Sequence, residues 1–137
     1  MAKTFKLDIV TPERVVFSED VASLVVPADE GYYGVLAGHA PFLCTIRPGE
    51  VSIRRERGEM HYATGGGFME VTQEHAIILC ESAEETAGID VQRAEEALER
   101  AKQRLAATAP GGTDRVRAEA AKERAENRLR LAKKYKK

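Results

Sequence analysis

The 137-residue sequence contains no run of about 18 apolar residues, so no segment should cross a membrane as a helix. Residues 1–5 include no apolar segment of the kind that begins a signal peptide. Hydrophobic residues still make up 43% of the chain, which is enough for a folded core and too many for a disordered chain. We therefore expect a folded protein that stays in the cytosol, although it could dock on a membrane-bound complex.

The residues that build disulfide frameworks and metal sites are scarce or poorly spaced. Two cysteines are present, Cys44 and Cys80, and both lie in apolar, strand-like stretches, which favours buried and reduced thiols. The histidines, His39, His61 and His75, are far apart in the sequence and lack the spacing typical of metal ligands. We therefore expect neither a disulfide nor a metal site.

Motifs for catalysis are also missing from the sequence. Residues 65–67 are all glycine, but they precede a strand-like stretch and lack the Gly-Lys-Ser/Thr ending of a phosphate loop. His39 lies in a Gly/Pro-rich bend with no Ser, Cys or Asp at a telling spacing, which favours a structural or interface role. The sequence gives no positive sign of an enzyme.

Charge is divided unevenly along the chain. Residues 1–88 carry seven Lys/Arg against fourteen Asp/Glu, a formal charge of −7, whereas residues 89–137 carry fourteen against eight, a charge of +6. The C-terminal part is therefore basic and the remainder acidic. This pattern predicts that the C-terminal part folds back on the acidic body or meets an acidic partner.

Short β-branched and aromatic stretches, separated by glycine, proline and polar residues, fill the first 88 positions. We predict strands over residues 5–10, 14–17, 21–26, 32–36, 42–46, 51–54, 60–63, 68–71 and 75–80. A turn is expected at residues 18–20, a loop at 27–31, a bend at 37–41 and a hairpin across Arg57 and Gly58. Many short strands at close spacing are typical of an antiparallel β-sandwich or barrel.

After Gly88 the apolar residues recur with the helical period of 3.6. Asp90 is placed to cap a first helix that stops at residues 109–112, and a second helix should begin near Thr113 or Asp114. Their apolar seams are Ala94, Ala97, Ala101 and Leu105 with Leu98 beside them, and Ala118, Ala121, Ala125, Leu129 and Ala132. The short connection predicts an antiparallel helical hairpin, weakly held because alanine buries little area. We therefore divide the chain into a β-sandwich, residues 1–88, and a mobile α-helical hairpin, residues 89–137.

Arginines recur along the two predicted helices in matching positions, because residues 93–105 resemble residues 117–129. Such a stripe indicates either a solvated charged face or a surface for an anion or a partner. We do not expect nucleic acid as the partner, since glutamates interleave the arginines and few aromatic residues are available for base stacking.

Four motifs together resemble the ε subunit of F-type ATP synthases. They are residues 10–13 (Val-Thr-Pro-Glu), residues 34–41 (Gly-Val-Leu-Ala-Gly-His-Ala-Pro), residues 48–49 (Pro-Gly) and residues 66–71 (Gly-Gly-Phe-Met-Glu-Val). The resemblance covers essentially the whole chain, and one departure is Ala37, where the family usually has proline. The family combines a β-sandwich with a two-helix hairpin, the architecture expected above.

The resemblance implies a non-catalytic rotor subunit in the central stalk of a proton-translocating F-type ATP synthase, held peripherally at the cytoplasmic face of the bacterial cell membrane. The sandwich would couple the γ subunit to the membrane c-ring, with Tyr32 and His39 as candidate residues of the rotor interface. The hairpin would lie folded on the sandwich or extend along γ into the catalytic α/β head, where it inhibits ATP hydrolysis. The charge difference between the two parts suits either position.

Some members of the family bind ATP on the folded hairpin, so the resemblance implies a candidate ligand site. The matching residues are Ile89, Asp90, Arg93 and Ala94 in the motif Ile/Leu-Asp-x-x-Arg-Ala, with Arg124 and Arg128 in the second helix. A carboxylate accepts from the adenine amino group, and guanidinium groups suit phosphate oxygens. The alternatives are helix capping for Asp90 and solvation for the arginines.

ATP would be a regulatory ligand in this reading, and no cofactor is required. The main rival is a stand-alone adenine-nucleotide sensor built on the same scaffold, with no affinity for a rotor. Co-purification with γ would separate the two functions.

Overall fold

The computed structural model describes residues 3–108 and 111–135, which divide into two compact units. The first unit ends at Glu85 and the second begins at Thr86. The predicted division lies after residue 88, whereas the structure groups the short 3₁₀-helix Thr86–Gly88 with the helices that follow it.

The described part of the first unit forms one ten-stranded sheet. Its strands are β1 (Phe5–Val10), β2 (Val15–Val21), β3 (Ser23–Ala28), β4 (Gly31–Leu36), β5 (Phe42–Ile46), β6 (Gly49–Arg55), β7 (Gly58–Thr64), β8 (Gly67–Val71), β9 (His75–Cys80) and β10 (Ala83–Glu85). The order is β10-β7-β6-β3-β5-β8-β9-β1-β2, and β4 pairs with β3. Because β3 and β5 share a single residue pair, Ala28 with Ile46, the sheet folds there into the two layers of a sandwich.

The sandwich prediction is confirmed, with one parallel exception to its antiparallel pairing. β1 runs parallel to β9, with Leu7 opposite Ala76 and Ile9 opposite Ile78. Alternation along β1 buries Phe5, Leu7 and Ile9 in the core, as the period of two predicts. The same alternation places every second residue of β1, β8 and β9 on an outer surface.

Two details of the strand prediction are wrong. The predicted turn at residues 18–20 lies inside β2, where Ser18 pairs with Asp8 and Asp20 with Lys6. Ladder pairing and the Arg55–Glu19 ion pair at 3.2 Å override the local turn preference of these polar residues. The predicted loop at residues 27–31 is shorter, since β3 continues through Ala28 and β4 already begins at Gly31.

The second unit contains α1 (Val91–Ala107) and α2 (Thr113–Lys134) after the 3₁₀-helix. The Nη1 atom of Arg115 donates to the carbonyl oxygen of Leu105 at 3.3 Å, so the start of α2 lies beside the end of α1. This confirms the antiparallel hairpin. The predicted helix stop includes residues 109 and 110, which lie outside the described residues. Within the described ranges, neither helix is long and apolar enough to span a bilayer.

The predicted alanine seam is confirmed only in part in each helix, since Ala97 and Leu105 of α1 and Ala121 of α2 are half-buried. Ala94 and Ala101 are buried, as are Ala118 and Ala125. The predicted seam residues Leu129 and Ala132 are only half-buried, whereas Asn127 and Leu131 are buried instead. α2 contacts the 3₁₀-helix as well as α1, so a second face of α2 is buried. The spacing of the alanines did not predict this second face.

Candidate functional site

Asp90 caps the N-terminus of α1. Its Oδ1 atom accepts from the backbone N–H of Arg93 at 3.1 Å, and its backbone is extended, as an N-cap residue requires. Its carbonyl oxygen also accepts from the backbone N–H of Ala94 at 3.0 Å. The capping interpretation of Asp90 is therefore confirmed, and capping engages only one of the two carboxylate oxygens.

A shallow depression opens at this end of the hairpin. Asp90, Gln92, Arg93 and Glu96 line it, so it combines one guanidinium group with two carboxylates. Arg93 is exposed and can turn toward an anion, and the unpaired N–H groups of a helix N-terminus also favour negative charge. Ala94 is buried, so its methyl group packs between the helices and does not line the depression.

Arg124 and Arg128 lie on α2, and both are half-buried. The contact between Arg115 and Leu105 sets the alignment of the two antiparallel helices. Because the rise per residue is the same in both helices, Arg124 lies about level with Glu96 of α1, and Arg128 lies about level with Gln92. The motif residues of α1 and the arginines of α2 are therefore brought to the same end of the hairpin. The lining of the depression comes from α1 and its cap, so a ligand bridging both helices would need the α2 side chains to turn toward it.

The candidate rotor residues Tyr32 and His39 lie on and next to β4. The Tyr32 side chain is 60% exposed, whereas the His39 ring is half-buried. The Nε2 atom of His39 lies 2.7 Å from the hydroxyl oxygen of Tyr33, and its Nδ1 atom lies 2.6 Å from the carbonyl oxygen of Ala40. Tyr32 is thus available to a partner, while both ring nitrogens of His39 are engaged within the chain.

An exposed apolar row crosses the outer surface of the sandwich layer that contains β5, β8, β9, β1 and β2. Val15 of β2 pairs with Val10 of β1, Val10 with Leu79 of β9, and Leu79 with Phe68 of β8. The exposed fractions are 58% for Val15, 49% for Leu79 and 58% for Phe68. We call these four residues the apolar row. Sequence reasoning missed it, although the unbroken apolar run at residues 76–80 signalled a strand that is apolar on both faces.

Polar side chains border the apolar row on the same surface. The Nε2 atom of His75 lies 2.7 Å from the Oδ2 atom of Asp8, which pairs across the ladder with Ser18. A hydrogen bond from Ser18, and then the bond and charge of His75, hold the pKa of Asp8 below its usual value of 3.8 despite some burial. An apolar centre with a polar rim is the usual anatomy of a protein-binding surface.

The remaining reactive side chains of the described residues include a polar cluster in the sandwich and two thiols. Glu50 is buried, and the same Oε2 atom lies 2.8 Å from Nδ1 of His61 and 2.9 Å from the hydroxyl of Ser52. The Oγ atom of Ser52 also lies 3.4 Å from the Nδ1 atom of His61, so the three side chains form one polar cluster in which the shorter contacts are those to the carboxylate. Both cysteines are free, and burial raises the pKa of each thiol. Within residues 3–108 and 111–135, no group of three or more His, Cys, Asp or Glu residues is placed to hold a metal ion.

Both units match models of one protein family. The model of the "ATP synthase, Delta/Epsilon chain, beta-sandwich domain" matches residues 4–86, and that of the "ATP synthase, Delta/Epsilon chain, long alpha-helix domain" matches residues 88–133. The chain belongs to the ATP synthase delta/epsilon family. The resemblance carried by the four sequence motifs is thereby confirmed.

Curated relatives of this family are similar over most of their length. The ATP synthase epsilon chain of Moorella thermoacetica is 45% identical over 109 residues, which are 79% of this chain and 81% of that one. The ATP synthase epsilon chain of Pelotomaculum thermopropionicum is 47% identical over 104 residues, 76% of this chain and 78% of that one.

Chains in two solved ATP synthase structures share the fold. A chain in the Euglena gracilis mitochondrial ATP synthase, solved as an assembly of OSCP, F1 and c-ring, superposes with a TM-score of 0.74 at 28% identity. The match covers 90% of this chain and 78% of that one. A chain of the Tetrahymena thermophila mitochondrial ATP synthase central stalk and c-ring has a TM-score of 0.59 at 13% identity, covers 96% and 98%, and supports the fold alone.

Proposed function

We propose that the chain is a non-catalytic rotor subunit of a proton-translocating F-type ATP synthase, in which the sandwich couples γ to the c-ring. The observation that carries the proposal is the apolar row on the outside of a sandwich that matches the family. Through its partners the chain would be held peripherally at the cytoplasmic face of the membrane.

The apolar row suits docking on a protein better than exposure to water. Phe68 and Leu79 are partners in register on neighbouring strands, and Leu43 of β5, 68% exposed, lies diagonally across from Phe68. Large apolar side chains grouped on a surface are the usual mark of an interaction site. The Asp8–His75 pair at the border would supply the polar contacts that set orientation.

Direct binding to purified γ tests the docking surface. Phe68→Glu places a charge in the apolar row without disturbing the core, because the side chain is already exposed. We expect the affinity for γ to fall by roughly tenfold or more, since a charge would be desolvated at the interface. Val116→Glu is the matched control, because Val116 is 62% exposed but belongs to the helical unit. Equal affinities of both variants and the unmodified chain would contradict the docking surface.

The hairpin would regulate the complex by inhibiting ATP hydrolysis when it extends toward the catalytic α/β subunits. ATP would act as a regulatory ligand that favours the folded hairpin. The proposal that ATP binds the hairpin is supported by the position of Asp90, Arg93, Arg124 and Arg128, which all lie at the same end of it. A ligand shifts the equilibrium only by the difference in its affinity for the two hairpin positions. Such binding would stabilise the folded form by about 1.4 kcal/mol at ten times the dissociation constant.

A further inference from the structure

The two helices of the hairpin carry the same sequence pattern. Residues 90–94 (Asp-Val-Gln-Arg-Ala) match residues 114–118 (Asp-Arg-Val-Arg-Ala). Residues 100–105 (Arg-Ala-Lys-Gln-Arg-Leu) match residues 124–129 (Arg-Ala-Glu-Asn-Arg-Leu). A position in α1 therefore has its counterpart 24 residues later, in α2.

The structure preserves this repeat where the helices meet. The alanines that the repeat pairs are all buried, Ala94 with Ala118 and Ala101 with Ala125. Two antiparallel helices that pack through equivalent residues are related by an approximate two-fold axis perpendicular to the plane of the hairpin. Such an axis places each residue and its counterpart on the same face of the hairpin, at opposite ends.

Arginines border the buried alanines on one side of each helix. With 3.6 residues per turn, Arg93, Arg100 and Arg104 lie within about 40° of one another around α1. Their counterparts in α2 are Arg117, Arg124 and Arg128. All six therefore border one face of the hairpin and divide into two groups by height. We call Arg93, Arg124 and Arg128 the first arginine group, and Arg100, Arg104 and Arg117 the second arginine group.

The second arginine group lies at the connected end of the hairpin. The alignment of the helices puts Arg117 about level with Gln103, between Arg100 and Arg104 in α1. Both α1 arginines are then within about 5 Å of Arg117 along the helix axis. All three side chains are exposed, and within residues 3–108 and 111–135 none of them forms an ion pair. Three guanidinium groups can therefore turn toward one anion.

Acidic residues offset this end of the hairpin less than the other. Residues 100–107 and 113–118 carry five Lys/Arg against one Asp, a formal charge of +4. Their counterparts, residues 124–131 and 89–94, carry four Lys/Arg against two Asp/Glu, a charge of +2. A local excess of positive charge attracts polyanions, and guanidinium groups match the oxygens of phosphate in particular.

The features that would hold a nucleotide base are present only at the first end. The half-buried Ile89 has the exposed Thr113 as its counterpart, so no apolar side chain is available to cover a base. α2 already begins at Thr113, so Asp114 lies within the first turn and does not cap the helix as Asp90 does. The connected end therefore suits the phosphate chain of a ligand and not its base.

We propose that the second arginine group binds the phosphate chain of a polyphosphate ligand without selecting for a base. Arg117 meets Arg100 and Arg104 only while the helices are antiparallel, so the bound anion would also hold the hairpin closed. The proposal goes beyond the rotor function and does not depend on it. ATP would have base contacts only at the first arginine group and would fill that group at lower concentration, so inorganic tripolyphosphate is the probe for the second.

The test is a titration of the full-length chain with inorganic tripolyphosphate, followed by NMR. The backbone amide signals of residues 113–117 report on the connected end alone, and we expect them to shift and saturate. Arg104→Ala and Arg117→Ala should each raise the dissociation constant at these signals by about tenfold, the usual effect of losing a charge-assisted hydrogen bond. Both side chains are exposed, so neither change disturbs the helix seam.

Lys102→Ala is the matched control. It removes one exposed positive charge from the same end, but Lys102 lies about 160° from Arg104 around α1, away from the second arginine group. The dissociation constant should stay within about twofold of that of the unmodified chain. Equal weakening in all three variants would overturn the proposal, because general attraction to the basic hairpin would explain the binding.

Two further outcomes would overturn the second site. One is the absence of any shift at residues 113–117 with millimolar tripolyphosphate, including the case in which only the signals of residues 89–94 respond. The other is a shift of the residue 113–117 signals on addition of adenosine, which carries no phosphate, since the connected end would then recognise a base.

Discussion

The Nε2 atom of His75 lies 2.7 Å from the Oδ2 atom of Asp8, between the parallel strands β9 and β1. The two residues are 67 positions apart in the sequence. Their contact lies on the outer surface of the sandwich and links the only two strands that pair in parallel among its described strands. It joins strands from opposite ends of the first unit, and it gives that unit a defined response to acid.

We predict that Asp8→Asn destabilises the protein at neutral pH and that the difference disappears in acid. The pKa of Asp8 is lowered by the hydrogen bond from Ser18 and then by His75, so its ionised form stabilises the fold. This stability is present above the unfolded-state pKa near 3.8 and is lost as the pH falls through the lower, folded-state value. Denaturant unfolding at pH 7 should show a loss of roughly 1–2 kcal/mol. An equal difference at pH 7 and well below pH 4 would contradict this origin.

Ala37→Pro should stabilise the sandwich. Ala37 occupies the second position of the type II turn closed by His39 and Leu36, and the preceding residue is already extended in β4. Proline would reduce the conformational freedom of the unfolded chain and add about 0.4–1 kcal/mol to the free energy of unfolding. Thermal and denaturant melts of the full chain measure this change. A lower unfolding free energy would show that the turn has a different geometry.

The alternation of apolar and polar residues and the positions of the turn residues predicted nearly all strands of the sandwich. The alternation in β1 and the apolar run in β9 can be read directly from the sequence. The turn at residues 18–20 could not be predicted correctly, since its extended form depends on Lys6, Asp8 and the distant Arg55. The second buried side of α2 was equally hidden, because Asn127 and Leu131 lie among charged residues with no seam-like repeat.

The candidate ligand residues were found through their resemblance to a family motif, and geometry then separated their roles. Asp90 is a cap, Ala94 is buried packing, and Arg93 is the exposed cation. The helical period had already placed Ala94 on the apolar seam, and capping was already an alternative for Asp90, so the structure added the exposure of Arg93 and the single carboxylate oxygen that the cap engages. The apolar row was missed for a related reason: only strand order shows that Val10, Leu79 and Phe68 are neighbours.

ATP binding should depend on the charge of Asp90 and not only on its cap. Asp90→Asn keeps a good N-cap residue but removes the carboxylate, whereas Asp90→Ala removes both. We expect Asp90→Ala to lower the stability of the helical hairpin by about 1 kcal/mol, and Asp90→Asn to leave it nearly unchanged. Titration calorimetry should nevertheless show weaker ATP binding in both variants. Binding that follows helix stability alone would assign Asp90 to capping only.

The arginines provide an independent test of the ligand site. Arg93→Ala and Arg128→Ala should each weaken ATP binding by roughly 1–3 kcal/mol, as expected for charge-assisted hydrogen bonds to phosphate. Arg104→Ala is the matched control, because this exposed arginine lies in the last turn of α1, at the other end of the hairpin. No heat at millimolar ATP, or equal binding in all three variants, would contradict the ligand site.

Removing residues 89–137 should raise ATP hydrolysis by the assembled complex while coupling is retained. The basic hairpin carries the proposed inhibition, and its helices meet through small alanine side chains that bury little area. The sandwich should still fold, because its core lies among its own strands. Steady-state hydrolysis measured over a range of ATP concentrations tests this, with circular dichroism of residues 1–88 as the folding control. Unchanged hydrolysis by a complex that contains the folded fragment would contradict the inhibitory role.

The most direct test of the rotor assignment is the composition of the complex that forms around the tagged full-length chain in its own cells. We predict that γ co-purifies with it in equal amounts, together with the c-ring and the α and β subunits, and that Phe68→Glu removes these partners while Val116→Glu does not. A chain that is isolated alone and still binds ATP would contradict the rotor assignment and identify a stand-alone nucleotide sensor.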